Sequence, residues 1–342
     1  MASSPLDQSD QFLKAFKASL GERPALSFAE FMQVALYDPH CGYYQAERTR
    51  VDRHPEADFY TSESFRTVFS ELVAAAAIHL LGDRDPRTFT FVEIGAEPGA
   101  EVCPEAFMGF RECRHIRLDE PGTVPERSVV FSNELYDAQP FHRVVRKANR
   151  WIELGIALND TRLTWTELER LSAPVAEVRD HLPATVPEGT ILDLPLAAAE
   201  LLATQVVPEW QGIFIAADYG KSWTSLCEDY PEGTGRAYRS HRQHNDLLAN
   251  PGQQDLTCHI CWDWMEAILG QHHFSQVRVN SQEAFFIHNA PSAIEAIIMA
   301  PDGPLGERQS QLKTLLHPGM MGQKFQILSG TRLAIERPIC RG

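Results

Sequence analysis

Asn133-Glu134-Leu-Tyr-Asp137 sets an amide and two carboxylates directly after an apolar run, Ser128-Val-Val-Phe-Ser-Asn133. Two carboxylates at that spacing can grip a guanidinium through paired, charge-assisted hydrogen bonds and orient one of its nitrogens. The plainer alternative is that Asn133 and Asp137 only cap the turn after a strand. Asp218-Tyr219-Gly220 ends a second apolar run, 212–217, and could line the same site or serve as a strand-to-loop turn. Cys258 and Cys261 have the spacing of half a zinc site, but no second such pair exists, so a metal role is not expected. His272-His273 reads as a solvated turn between a helix and a strand.

Groups of this kind need a frame, and the apolar pattern supplies one. Phe12, Phe16 and Leu20 recur at helical spacing, and Ser27 with Glu30 forms a capping box for a helix that stops before Asp38-Pro39. A helical stretch at 62–81 leads into Thr88-Phe-Thr-Phe-Val-Glu93-Ile-Gly95, which reads as a strand and its following turn. This run and the two named above are apolar along their length and end in Glu-x-Gly, Asn or Asp, as strands of a parallel sheet do. Ligands of such sheets gather at the strands' carboxyl ends. Residues 196–207 form an Ala/Leu helix, and alternation over 143–165 suggests an inserted antiparallel ribbon. Residues 221–256 turn polar, as a long functional or mobile loop. A helix at 262–269, a strand at 274–279, a helix at 291–299 and a strand pair near 325–335 close the chain. The expected organisation is a helical N-terminal cap, 1–57, and one α/β domain, 58–342, with insertions at about 141–166 and 221–260.

Composition narrows the function. Hydrophobic residues make up 44% and charged residues 23% of the 342, an ordinary globular balance. Lys plus Arg is 31 against 46 Asp plus Glu, so the net charge is −15. An acidic surface repels phosphate backbones and argues against nucleic acid, while it suits a protein partner of basic character. No apolar run reaches the ~20 residues of a membrane helix. No secretory or transit pattern is visible, so a cytoplasmic chain is expected. Seven cysteines without regular spacing suggest reduced thiols.

Several segments, in order, resemble one family, the MidA-like proteins, a group of class I S-adenosyl-L-methionine (SAM)-dependent methyltransferases. Phe31-Met32, Ala35-Leu-Tyr37-Asp-Pro39 and Gly42-Tyr-Tyr44 match its opening motif, and Asp58-Phe-Tyr-Thr61-Ser62 its Asp-Phe-x-Thr-Ser. Asn133-Glu-Leu-Tyr-Asp-Ala138 with Pro140 is similar to its Asn-Glu-Phe-Phe-Asp-Ala-x-Pro. Asp218-Tyr-Gly220, Gly233-Thr234, Pro251-Gly252, Asp255-Leu-Thr257 with His259, and Gly322 with Lys324-Phe325 continue the series. The resemblance implies a Rossmann-like α/β fold with a mostly parallel sheet, SAM as cofactor, and methylation of an arginine on a protein partner. It implies a cofactor site at Glu93, Gly95, Gly99, Asp119, Thr61 and Ser62. Asn133, Glu134 and Asp137 become catalytic, Glu134 or Asp137 taking the proton released on methyl transfer. Asp218, Tyr219, His241, Asp255 and His259 fall around the mouth of the site.

The cofactor turn departs from the family's Gly-x-Gly-x-Gly. Here it is Gly95-Ala-Glu97-Pro98-Gly99-Ala-Glu101. A carboxylate facing the cofactor's own would cost on the order of 1 to 4 kcal/mol at ~4 Å. Only 29 residues separate Gly99 from Val129, where a full set of helices and strands takes roughly 40 to 45. By that count 115–118 supplies the third strand, the acidic ribose strand is lost, and Asp119 is its only substitute. The alternative function is therefore a non-catalytic binding or assembly protein that has given up SAM. Partner identity and oligomeric state are not legible.

Overall fold

The computed structural model describes residues 5–45, 66–96, 101–103, 109–117, 122–239, 242–299 and 306–333. The chain divides into two compact units. One comprises Met1–Tyr60, Tyr136–Leu201 and Gly220–Asp263; the other comprises Thr61–Leu135, Leu202–Tyr219 and Trp264–Gly342.

The second unit is built on a six-stranded sheet, in the order Ser275–Ser281, Gln326–Arg332, Gln211–Asp218, Arg127–Asn133, Thr90–Ile94, Glu112–Ile116. The last four run parallel to one another, whereas Gln326–Arg332 is antiparallel on both sides. One face packs Phe91, Phe131, Ile213 and Ile215 against Phe69, Phe285, Phe286 and Leu315 of the covering helices. Burial on the sheet face explains why these strands lack polar alternation.

The first unit carries the N-terminal helices. Ser27 accepts from the Glu30 amide at 3.2 Å while Glu30 accepts from the Ser27 amide at 2.8 Å, so the capping box forms and starts the helix Phe28–Tyr37. The alternating segment becomes strands His142–Lys147, Arg150–Asn159 and Arg162–Glu167, joined in one antiparallel sheet by Ile191–Leu194 and Leu26–Ser27. The first hairpin turns on Ala148 and Asn149, both with positive φ (47° and 61°), the conformation a two-residue hairpin turn requires. Phe12, Phe16, Phe28, Phe31, Phe141 and Ile156 fill this unit's core.

Four expectations need correction. Over the described residues the strand pairings are mixed and mostly antiparallel, because the first unit adds antiparallel sheets to the parallel block. The strand expected third in the sheet, Glu112–Ile116, pairs directly with Thr90–Ile94, in register from Thr90↔Glu112 to Ile94↔Ile116. A sheet can lose an edge strand cheaply, but losing an inner one would orphan the ladder on both sides. The shortening therefore falls at the edge. Residues 221–256 are not one loop: they hold the helix Trp223–Glu228 and strands Arg236–Arg239, Arg242–His244 and Asp255–Thr257, in a three-stranded sheet. Cys103 and Cys113 form a disulfide, since the segment after Thr90–Ile94 folds back over the neighbouring strand and brings their Cα atoms to 6.6 Å. Cys41 and Cys227 carry free thiols.

Candidate active site

In the second unit the parallel register brings three strand ends level. Ile94 lies opposite Ser132, and Asn133 opposite Ala217, so Gly95, Asn133-Glu134 and Asp218 follow one another along the carboxyl edge. This is where ligands bind in sheets of this type.

Glu93 is buried, and each of its oxygens accepts a backbone amide, Val102 at 2.9 Å and Cys103 at 3.0 Å. It thereby staples the segment that follows the cofactor turn back onto the first strand. His115 Nε2 lies 3.5 Å from the same carboxylate and 2.9 Å from the Cys103 carbonyl, and the Glu93 hydrogen bond raises its pKa. Gly95 donates its amide to the Ile116 carbonyl and has φ +82°, in the region glycine favours. A Cβ at this glycine would stand 2.6 Å from Leu135 Cδ1.

Asn133 is buried and donates from Nδ2 to Glu134 Oε1 at 3.2 Å. Glu134 donates its amide to the Ala217 carbonyl and has φ +49°. A left-handed non-glycine residue at a strand end stores strain, and such strain concentrates at functional sites. Beside Asn133, the Ser132 hydroxyl is buried with no hydrogen-bond partner among the described residues. Asp218 is fully buried and accepts from the Tyr219 amide at 2.8 Å, and the Tyr219 ring lies 4.2 Å from that of Phe325. The structure thus gathers Glu93, Gly95, Asn133, Glu134, Asp218 and Tyr219 in one unit.

Asp137, Asp255 and His259 belong to the first unit. The Asp137 carbonyl accepts from the Cys258 amide at 3.0 Å, and Tyr44 donates to Asp255 Oδ1 at 2.9 Å. Tyr37 stacks on Tyr44 with centroids 5.4 Å apart, donates to the Ala138 carbonyl at 3.0 Å, and accepts from Gln139 at 3.4 Å. Burial, then the charges of Asp255 and Asp137, push both phenols well above their ordinary range, so they stay protonated donors. Tyr37, Tyr44 and Gln139 were not expected in this role, although both tyrosines stand in the opening motif. His259 donates its amide to Thr234 Oγ1 at 3.1 Å, and burial depresses its imidazole to about 4. Gly99, Asp119, Thr61, Ser62 and His241 lie outside the described residues. Among the described residues no group of three or more His, Cys, Asp or Glu could hold a metal ion.

Comparison with known proteins places this geometry. A crystal structure from Burkholderia thailandensis bound to S-adenosyl-homocysteine superimposes with a TM-score of 0.85 at 20% identity, covering 97% of this chain and 94% of that one. A native structure from the same organism gives 0.80 at 20% identity. The fold is thus the α/β methyltransferase fold. A family model described as putative S-adenosyl-L-methionine-dependent methyltransferase matches residues 111–279. The mitochondrial protein arginine methyltransferase NDUFAF7 of Danio rerio is 23% identical over 97% of this chain and 90% of its own. That of Xenopus tropicalis is 22% identical over 89% and 82%. Over most of its length the chain is thus similar to methyltransferases of the MidA-like kind. The relatives are named as mitochondrial, which overturns the expectation of a cytoplasmic chain. They also favour an enzyme over a non-catalytic binding or assembly protein.

Proposed function

We propose that the chain is a SAM-dependent methyltransferase that methylates an arginine side chain of a protein partner. The observation that carries this reading is the whole-chain likeness to a structure holding S-adenosyl-homocysteine, on a sheet whose adjacent strand ends gather Glu93, Gly95, Asn133, Glu134 and Asp218. The sheet supports a Rossmann-like, class I reading. Four parallel strands are followed by the antiparallel Gln326–Arg332, after which Ser275–Ser281 again runs the parallel way.

The residues present fit the cofactor. Gly95 holds the positive φ that a tight turn after the first strand needs, Glu93 fixes the returning segment, and the Ser132 hydroxyl, without a partner among the described residues, offers a polar group at the same edge. Gly99, Asp119, Thr61 and Ser62 complete the site that the resemblance implies. Bound there, SAM supplies an electrophilic methyl group on a sulfonium. Glu134 accepts from the guanidinium, orients the reacting nitrogen and receives its proton, and Asn133 fixes the Glu134 carboxylate. Tyr219, at the neighbouring strand end, contributes to acceptor binding. A net charge of −15 favours a basic partner.

Calorimetry with SAM on wild type and Glu134→Gln, beside transfer of labelled methyl groups to arginine-rich proteins, tests this. Both proteins should bind at micromolar affinity, with transfer by the variant reduced about 10²- to 10⁴-fold. Failure of the wild type to bind SAM overturns the reading.

A further inference from the structure

The first unit holds a second polar cluster that the chemistry above does not use. Thr257 ends one short strand pairing, opposite Arg236, and Cys261 lies in the next, opposite Lys221. His259 sits midway between these two pairings, so the backbone register sets one cation on each side of it. Lys221 and Arg236 each push the imidazole toward its neutral form, which sets both within electrostatic reach. The Tyr230 ring closes the arrangement, edge-on to His259 at 5.4 Å and 6.0 Å from Lys221 Nζ.

Neither cation is neutralised. Among the described residues Lys221 and Arg236 enter no salt bridge; Arg236 donates only to the Gly235 carbonyl at 2.7 Å. The carboxylate felt by His259 is Asp193, and it is committed elsewhere. It holds Arg143 at 2.7 and 3.0 Å and accepts from the Thr234 and Gly235 amides, both at 2.7 Å. That network also fixes Thr234, whose hydroxyl receives the His259 amide. His259 Nδ1 is itself buried with no hydrogen-bond partner among the described residues. In a chain of net charge −15, two unpaired cations flanking an unsatisfied ring nitrogen are out of keeping with a purely structural role.

We propose that Lys221, Arg236 and His259 form an oxyanion subsite, taking a carboxylate borne by an acidic side chain of the protein substrate. Lys221 supplies a point charge, Arg236 a planar donor fork, and the Nδ1–H tautomer of His259 a directional donor. The choice of substrate rests on the methyltransferase reading; the oxyanion site itself does not.

Titration of the full chain with inorganic phosphate, followed by the ring signals of labelled histidine, tests the site directly. The His259 signal should shift and saturate, with affinity about tenfold weaker in each of Lys221→Met and Arg236→Gln. Thermal unfolding of both half-exposed variants checks that they are folded. No saturable shift, or one indifferent to both substitutions, overturns the subsite. A Glu-flanked arginine peptide should compete with phosphate, and its Gln-flanked counterpart should not. Phosphate binding without that competition overturns the carboxylate assignment and leaves a free phosphate as the ligand. SAM titrated into the same samples separates the two ideas, since phosphate binding without SAM binding sinks the methyltransferase reading and not the subsite.

Discussion

At the scale of single residues, the site is held by groups in conformations or pairings that few substitutes tolerate. Glu134 carries φ +49°, which costs a side chain of its kind about 1 kcal/mol or more. Glu134→Gly should therefore leave thermal stability unchanged or raised while methyl transfer collapses. A loss of stability comparable with that of a core substitution would show that the strain reading is wrong. Glu93→Gln replaces one acceptor of a backbone amide with a donor, at a cost of roughly 1–3 kcal/mol. Weaker SAM affinity should accompany the lower melting temperature. His259 carries a pH signature. Its pKa is lowered by burial from 6.5 to about 4, so between those values the unfolded chain binds a proton that the folded one refuses. The stability this neutral imidazole contributes is full above pH 6.5 and drains away as pH falls toward 4, by up to roughly 3 kcal/mol. His259→Gln should flatten that slope in melting temperatures taken at pH 7.5 and pH 5. His115, raised by Glu93, acts in the opposite sense, its contribution fading as pH climbs above 6.5.

Among the elements, what was legible in the sequence follows from how local each determinant is. The capping box at Ser27 and Glu30 needs only four residues and is visible at once. The three inner parallel strands announce themselves because both faces are buried, and so do the strand ends that carry Glu93, Asn133 and Asp218. The strand Glu112–Ile116 reads Glu-Cys-Arg-His-Ile, an edge pattern with half-exposed polar residues, and only its neighbour fixes its place. The three short strands between Arg236 and Thr257 have three or four residues each and polar sequences, below the length at which alternation can be counted. The Tyr37–Tyr44–Asp255 contacts join positions over 200 residues apart, which spacing alone cannot reveal. The turn at Gly95 offers an element-scale test. Gly95→Ala imposes both a disfavoured φ and a clash with Leu135. It should weaken SAM binding, and Leu135→Ala added to it should restore part of the loss by removing the clash. If the double variant binds no better than the single one, the φ term dominates.

For the whole molecule, the chain crosses between its two compact units repeatedly, so neither is one contiguous segment. The first unit's core is assembled from three stretches. Phe12, Phe16, Phe28 and Phe31 come from the N-terminal helices, Phe141 and Ile156 from the middle strands, and Ala237, Leu247 and Leu256 from the late segment. The aromatic rings interlock, with Phe28 stacked 5.5 Å from Phe31 and 5.0 Å from Phe141. Burying one such ring is worth about 1.5–3 kcal/mol, and four of them come from the first 45 residues. That sum rivals the ~5–15 kcal/mol by which a domain is stable at all. A chain that begins at residue 46 should therefore lose the first unit's cooperative unfolding and, with it, the positions of Asp137, Asp255 and His259. Near-ultraviolet circular dichroism and urea unfolding of the truncated chain measure this. An undiminished tryptophan signal with an unchanged unfolding midpoint would show that the late strands hold their site without the N-terminal helices.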